Sequence, residues 1–383
     1  MDFSLNKEQI EIQKAAIEFA KGEFDKEVAL DHERKHAFPL EIWRKACELG
    51  FIGLHFPEEF GGQGYGTFEN VLVVEQFCRQ DSGMGIAISL ADFASEIILR
   101  FGTEEQKEKY LLPLTEGQAL SSGGFTEPDH GSDITLMNTT ALKEGAEYVI
   151  NGTKTFITNG PIGDFVLLLC QSDLDAKPTY RGQSVIIVEK GTAGYEVTEI
   201  KEKMGIKMSP TGELAFDNVR VPLGQLVGEE NRGFYQVLEF FDESRIEIAA
   251  QAVGIAQGAF DRALEYVQKR RQFGKRLSDF QVTRHKLADM ATRIETARLL
   301  VYKAAWNFDQ GTVDPQLTSM AKMVAGRTAV QVADEAIQLM GGYGYMLEYE
   351  VERFYRDAKI MEIDEGTREI QKNTIASALL GRP

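Results

Sequence analysis

Four stretches of the sequence carry residue types that could do chemistry. Ile363-Asp364-Glu365-Gly366-Thr367 sets two carboxylates before a glycine and a candidate helix cap. A carboxylate there can serve as a general base if burial raises its pKa toward the working pH. The same pattern also suits a plain acidic residue at a helix N-terminus, favoured by the dipole. Arg270-Arg271-Gln272-Phe273-Gly274-Lys275-Arg276-Leu277 concentrates cations. Guanidinium forks match phosphate oxygens, and a solvated basic face would have the same composition. Thr126-Glu127-Pro128-Asp129-His130-Gly131-Ser132-Asp133 and Gln338-Leu339-Met340-Gly341-Gly342-Tyr343-Gly344-Tyr345 are rich in turn and cap residues, and glycine also permits close backbone approach to a ligand.

Generic motifs are missing. There is no Walker A sequence, no HExxH and nothing like a nucleophile elbow. Gly62-Gln63-Gly64-Tyr65-Gly66 is not GxGxxG and follows no strand, so it reads as a turn-rich loop. Two Glu-x-x-His tetrads occur, Glu33 to His36 and Glu127 to His130. One lies in a polar run before Pro39 and the other contains Pro128, so neither reads as an inward-facing helical ligand pair. The five histidines are scattered, and no metal centre is expected. Cys47, Cys78 and Cys170 are odd in number and far apart, which fits a reducing compartment rather than a disulfide framework. The formal charge of −17 discourages a general nucleic-acid binder. A polar N-terminus and short apolar runs such as Phe165 to Cys170 lead us to expect a cytoplasmic protein without membrane insertion.

The elements that must position these residues fall into thirds of a 383-residue chain. Residues 6–120 show helical periodicity, with a cap at Asn6 and Gln9 and a capping box over Thr103 to Gln106. Residues 121–225 change to strand patterns: Phe165 to Cys170, Ser184 to Val188, and a hairpin predicted at Asn151-Gly152. A second strand pair is predicted around Asp217-Asn218. Helical patterns then return, roughly Arg232 to Arg271, Ser278 to Gln310 and Pro315 to Met340, with a last helix after Gly366.

The ordered motifs together resemble the acyl-CoA dehydrogenase family, essentially end to end. They are TEPxxGSD, Ile157-Thr158-Asn159-Gly160, Lys203-Met204-Gly205-Ile206-Lys207, RxQFG, QxxGGYG, RDAKI and EGTxEIQ. The resemblance implies an α+β fold: an N-terminal helical domain (1–120), a middle β-barrel domain (121–228) and a C-terminal four-helix bundle (229–383). It also implies bound FAD, an acyl-CoA substrate, a homotetramer and an electron-transferring flavoprotein as acceptor.

By the same resemblance Glu365 is the base that removes the α-proton. Phe125, Thr126, Gly131, Ser132, Phe156 and Thr158 face the flavin, with Thr367 and Glu369 near it. Arg270, Gln272, Phe273, Leu277, Phe280 and Gln281, with Gln338 and Gly342, take the pyrophosphate and adenosine end, the Arg270 group from a neighbouring subunit. Ser132, Asp242, Arg245, Asp364 and Gly366 meet substrate. Two departures bear on the acyl group. Asp364 stands where relatives carry tyrosine, and Asp92 lies in the helix stretch bordering the acyl pocket. A carboxylate beside an alkyl chain is costly unless paired or functional. Either both point away from the pocket, and the substrate is a short-chain linear or branched acyl-CoA, or Asp92, alone or with Asp364, is a second acid–base group, which would suit alicyclic relatives acting on cyclohexane- or cyclohexene-carboxyl-CoA. Retention of Glu365 favours 1,2- over 1,4-dehydrogenation.

Overall fold

The computed structural model describes residues 4–381. Its first part is helical: α1 (Lys7–Glu23), α2 (Lys26–Lys35), α3 (Leu40–Glu48), α4 (Thr67–Gln80), α5 (Ser82–Ser89), α6 (Glu96–Phe101) and α7 (Glu104–Thr115). Asn6 with Gln9 and Thr103 with Gln106 form reciprocal capping boxes at the starts of α1 and α7, as the sequence predicts. The loop at 56–66 contains one short 3-10 turn, Glu58–Phe60.

The middle part is β1 (Ser121–Gly124), β2 (Thr140–Glu144), β3 (Glu147–Thr158), β4 (Phe165–Gln171), β5 (Gln183–Glu189), β6 (Tyr195–Glu199), β7 (Thr211–Pro222) and β8 (Leu226–Val227). The hydrogen-bonded order is β6-β7-β3-β2-β4-β5-β8, with β1 parallel to β4. Strand β4 is buried throughout, which explains its unbroken apolar run.

The two predicted turns in this region are corrected by the structure. Asn151-Gly152 does not reverse the chain, because β3 runs straight through it, and β7 likewise runs through Asp217-Asn218. The two sites face each other at a register shift in the β3–β7 pair, where Asn218 N–H donates to Asn151 Oδ1 at 2.8 Å. Asn218 sits at φ 52°. At Gly152 a Cβ would lie 2.5 Å from Thr139 Oγ1, so close packing against Thr139 requires glycine. The turn chemistry is real, but it serves a bulge that bends two long strands.

The last part is α8 (Gly233–Lys269), a two-stranded ribbon of β9 (Arg271–Gln272) and β10 (Lys275–Arg276), α9 (Gln281–Asp309), α10 (Pro315–Met340), α11 (Val351–Ala358) and α12 (Arg368–Leu380). α10 starts and ends where its sequence pattern does. α9 starts later than expected because Leu277–Asp279 forms a 3-10 turn. α8 packs against α4, α9 and α10, so it is buried on most sides. Among the described residues no helix is long and apolar enough to cross a membrane.

The Arg-Asp-Ala-Lys stretch ties the three parts together. Asp357 of α11 accepts from Ser82 Oγ of α5 and from the Ile206 N–H, each at 2.6 Å. Arg353, one turn earlier, is 1% exposed and ion-paired with Asp81 and with Glu33. Glu33 is thus an ion-pair partner, not half of a metal-binding tetrad. Glu127 is likewise committed: it accepts from the Asn138 and Thr139 N–H groups and from buried Lys154 Nζ at 2.9 Å.

Candidate functional site

The segment before α12 holds Glu365 in an unusual backbone. Glu365 has φ 48° and Gly366 has φ 95°. A Cβ on Gly366 would lie 2.8 Å from Gln371 Nε2, so a side chain there would be both strained and crowded. Side-chain donors fix this turn. Lys322 Nζ donates to the carbonyls of Asp364 (2.5 Å) and Gly366 (3.0 Å), and Arg245 Nε donates to that of Glu365 at 2.8 Å. Gln371 Nε2 donates to the carbonyls of Glu365 and Gly366. Thr367 caps α12, and Glu369 is exposed in its first turn.

The Glu365 side chain accepts a hydrogen bond from Ser244 Oγ at 2.7 Å. Burial pushes its carboxyl up to about 7, against the opposing pull of the Ser244 bond and the Arg245 charge. That range suits a base at neutral pH. Arg245 was expected on the CoA moiety. It is 8% exposed, and its Nε is bonded to the Glu365 backbone carbonyl. Asp242, half-buried on the same helix, is raised to about 6 by burial, with Arg245 and Arg100 opposing.

Ser244 also lines a tight cavity with Ser89, Asp92, Phe93, Glu96, Phe240 and Glu247. Asp92 is 8% exposed, and burial plus the Glu96 charge push its carboxyl up to about 7, with His55 opposing. So Asp92 and the hydrogen-bond partner of Glu365 share one cavity. Asp364 does not join them: its Oδ1 faces Lys322 Nζ at 3.6 Å, and it is absent from the lining. Buried Lys322 is the cation beside Asp364, and its Nζ donates to the Asp364 backbone carbonyl. Sequence reading missed Glu96, Glu247 and His55. The available signal was Glu243 and Glu247, carboxylates four apart on α8, a repulsive spacing in an isolated helix.

The residues expected at a flavin fall into two groups. Phe125 is buried, and the Thr126 carbonyl accepts from the Thr155 N–H on β3. Next to Thr155, Phe156 is 68% exposed at φ 58°, an aromatic ring held outward beside a second bulge. Thr158 is half-buried, while Gly131 and Ser132 are exposed. The second group lines a groove of about 500 Å³ at the far end of the bundle: Arg270, Gln272, Leu277, Gln338 and Gly342, with Tyr343. Its lining includes none of the β-domain residues. Phe273 is 93% exposed at φ 53°, and its ring lies 6.4 Å from that of Phe280. Gln281, the first residue of α9, is exposed. An outward apolar ring in one place and a groove with a guanidinium and amides in the other fit the two ends of FAD.

Comparison with known proteins places these observations. The acyl-CoA dehydrogenase N-terminal domain matches residues 6–118, the middle domain 122–219 and the C-terminal domain 231–380. The acryloyl-CoA reductase (NADH) of Anaerotignum propionicum is 43% identical over 100% of this chain and 97% of its own length. The cyclohexane-1-carbonyl-CoA dehydrogenase of Geobacter metallireducens is 40% identical over 89% of each chain. The butyryl-CoA dehydrogenase structure from Megasphaera elsdenii superposes with a TM-score of 0.94 at 40% identity, covering 99% of this chain and 100% of that one. With three domain matches in order and the whole length aligned, the chain belongs to the acyl-CoA dehydrogenase family, FAD-dependent oxidoreductases acting on CH–CH bonds.

Proposed function

We propose that this enzyme dehydrogenates a short or ring-bearing acyl-CoA between Cα and Cβ, with Glu365 as the base. The carrying observation is the Glu365 carboxyl itself: half-buried, raised to about 7, and hydrogen-bonded to a serine that lines the cavity. Bound FAD supplies a hydride acceptor for the β-carbon. Phe156 and Thr158 would hold its ring, while Arg270, Gln272, Gln338 and Gly342 would hold its nucleotide end. Glu365 takes the α-proton, and the Lys322, Arg245 and Gln371 hydrogen bonds keep its turn from moving as it does. Phe93 and Phe240, 5.4 Å apart between ring centroids, supply apolar wall to the cavity. Electrons would leave to an electron-transferring flavoprotein. A homotetramer would complete each flavin site, which agrees with a nucleotide groove lined apart from the ring-side residues.

The ring-bearing substrate draws on Asp92 and on the name of the Geobacter metallireducens relative. In a cyclohex-1-ene-1-carboxyl group the α-carbon bears no hydrogen; Asp92 would then be the base in place of Glu365, taking the single ring proton at one end of the allylic system while the hydride leaves from the other end, which gives 1,4-dehydrogenation. The reductase name of another relative points to the reverse direction through the same groups. The test is anaerobic flavin bleaching of the holoenzyme with butyryl-, cyclohexanecarboxyl- and cyclohex-1-ene-1-carboxyl-CoA. Glu365→Gln should keep the flavin and slow bleaching by about 10²–10⁴-fold, the usual worth of a general base. Full activity in that variant would move the base elsewhere, with Asp92→Asn the next variant to assay. A clear preference for butyryl-CoA would remove the ring reading.

A further inference from the structure

The cavity that Ser244 lines sets three carboxyls among the apolar side chains of Leu90, Phe93, Phe240 and Ile248. Asp92 and Glu96 come from the α5–α6 junction and α6, and Glu247 comes from α8. Glu243, also on α8, stands just behind. Two cations face these four carboxyls. Arg100 is ion-paired with Glu243. His55 Nε2 stands 3.5 Å from Glu96 Oε1 and 4.0 Å from Glu243 Oε1. Among the described residues no cation is paired with Asp92 or Glu247. Glu96 is 6% exposed, and among the described residues its Oε2 and the Oε1 of Glu247 have no hydrogen-bond partner. Both residues line the cavity.

A saturated alkyl or ring carbon placed there would leave these oxygens unsatisfied, and each such loss is expensive in a buried site. A substrate carboxylate would be repelled. What the Glu96 and Glu247 oxygens lack is N–H donors, and an ammonium would bring these together with a charge that favours ionisation of Asp92 and Glu247, whose carboxyls burial pushes up. We propose that the acyl group this enzyme takes carries a protonated amine, which the cavity binds through Glu96 and Glu247, with Asp92 beside them. The proposal rests on the acyl-CoA dehydrogenase reading and names the substrate class for that same cavity. Glu96 and Glu247 are then specificity determinants, distinct from the base Glu365.

The experiment pairs thioesters that differ only in the amine. Propionyl-CoA is compared with 3-aminopropionyl-CoA, and cyclohexanecarboxyl-CoA with its trans-4-amino and trans-4-hydroxy derivatives. Dissociation constants come from flavin spectral titration of the oxidised holoenzyme, and rates from anaerobic bleaching. The amine should bind about tenfold more tightly or better than the unsubstituted partner in at least one pair, since a site built for polar groups rejects analogues that lack them. Glu96→Gln and Glu247→Gln should each reduce that ratio. An amine that is excluded in both pairs, or a hydroxyl that binds as well as the amine, overturns the proposal on the wild-type enzyme alone. A preference for the amine that survives both substitutions overturns the assignment to these residues. Bleaching by any unsubstituted ester reports separately on the dehydrogenase reading.

Discussion

At the scale of single residues, Ser244 decides how Glu365 titrates. Its hydroxyl donates to the carboxylate, which favours the ionised form and opposes the effect of burial. A base must be ionised to accept a proton, so bleaching by a neutral acyl-CoA should rise with pH through about 7. Ser244→Ala removes the bond and leaves burial unopposed at that oxygen, so the midpoint should move upward. A pH–rate profile of the reductive half-reaction measures it. A midpoint that stays put or falls would show that the serine does not tune the base. Glu365 was legible only because its motif is shared across a family; by spacing alone it is one more acidic residue near a helix start. Ser244 offered no comparable signal, and Glu247 only its spacing from Glu243. Their importance lies in which cavity they face, and that depends on how α8 is rotated against α6.

At the scale of elements, α11 is the part the periodicity did not announce, yet it locks the others in place. Arg353 is buried with Asp81 from the α4–α5 junction and Glu33 from α2, and Asp357 reaches α5 and the 203–207 loop. Removing one partner of a buried ion pair strands the other charges, at a cost of about 3–5 kcal/mol. Arg353→Met should therefore lower the unfolding free energy by that order, seen in denaturant titration of the holoenzyme. A loss below about 1 kcal/mol would mean that water reaches Asp81 and Glu33. Helix boundaries were largely readable, because caps and prolines mark them locally: α10 starts at Pro315, and α1 and α7 start at their capping boxes. The strands were less so. Asn151-Gly152 and Asp217-Asn218 have the composition of tight turns, but which use a positive φ serves is decided by the partner strand.

At the scale of the whole molecule, the net charge of −17 conceals an interior where carboxylates are held against their solvation. Arg270 lines the groove at one end of the bundle, while Asp92, Glu96 and Glu247 line the separate cavity beside Ser244. Such a site is maintained at the expense of stability, and the sign follows from linkage. Burial raises Asp92 from its ordinary 3.8 to about 7 and Glu365 from 4.5 to about 7. In the folded state each holds its proton where the unfolded chain has released it. Their contribution is therefore fully present below about pH 4 and is lost as pH rises through about 7. His55 runs the same way in a higher window: burial lowers it, but Glu96 and Glu243 outweigh that and carry it up to about 9, so its contribution fades as pH passes 9. Asp92→Asn removes the ionisation without changing the shape. It should be close to neutral below about pH 4 and increasingly stabilising above it, by a few kcal/mol at pH 8, since a tenfold change in a protonation equilibrium is worth about 1.4 kcal/mol. Tm measured from pH 5 to pH 8 for both proteins gives the difference directly. If the gap between variant and wild type does not widen with pH, Asp92 is ionised at low cost, and the cavity already holds the positive charge that an aminated acyl group is proposed to bring.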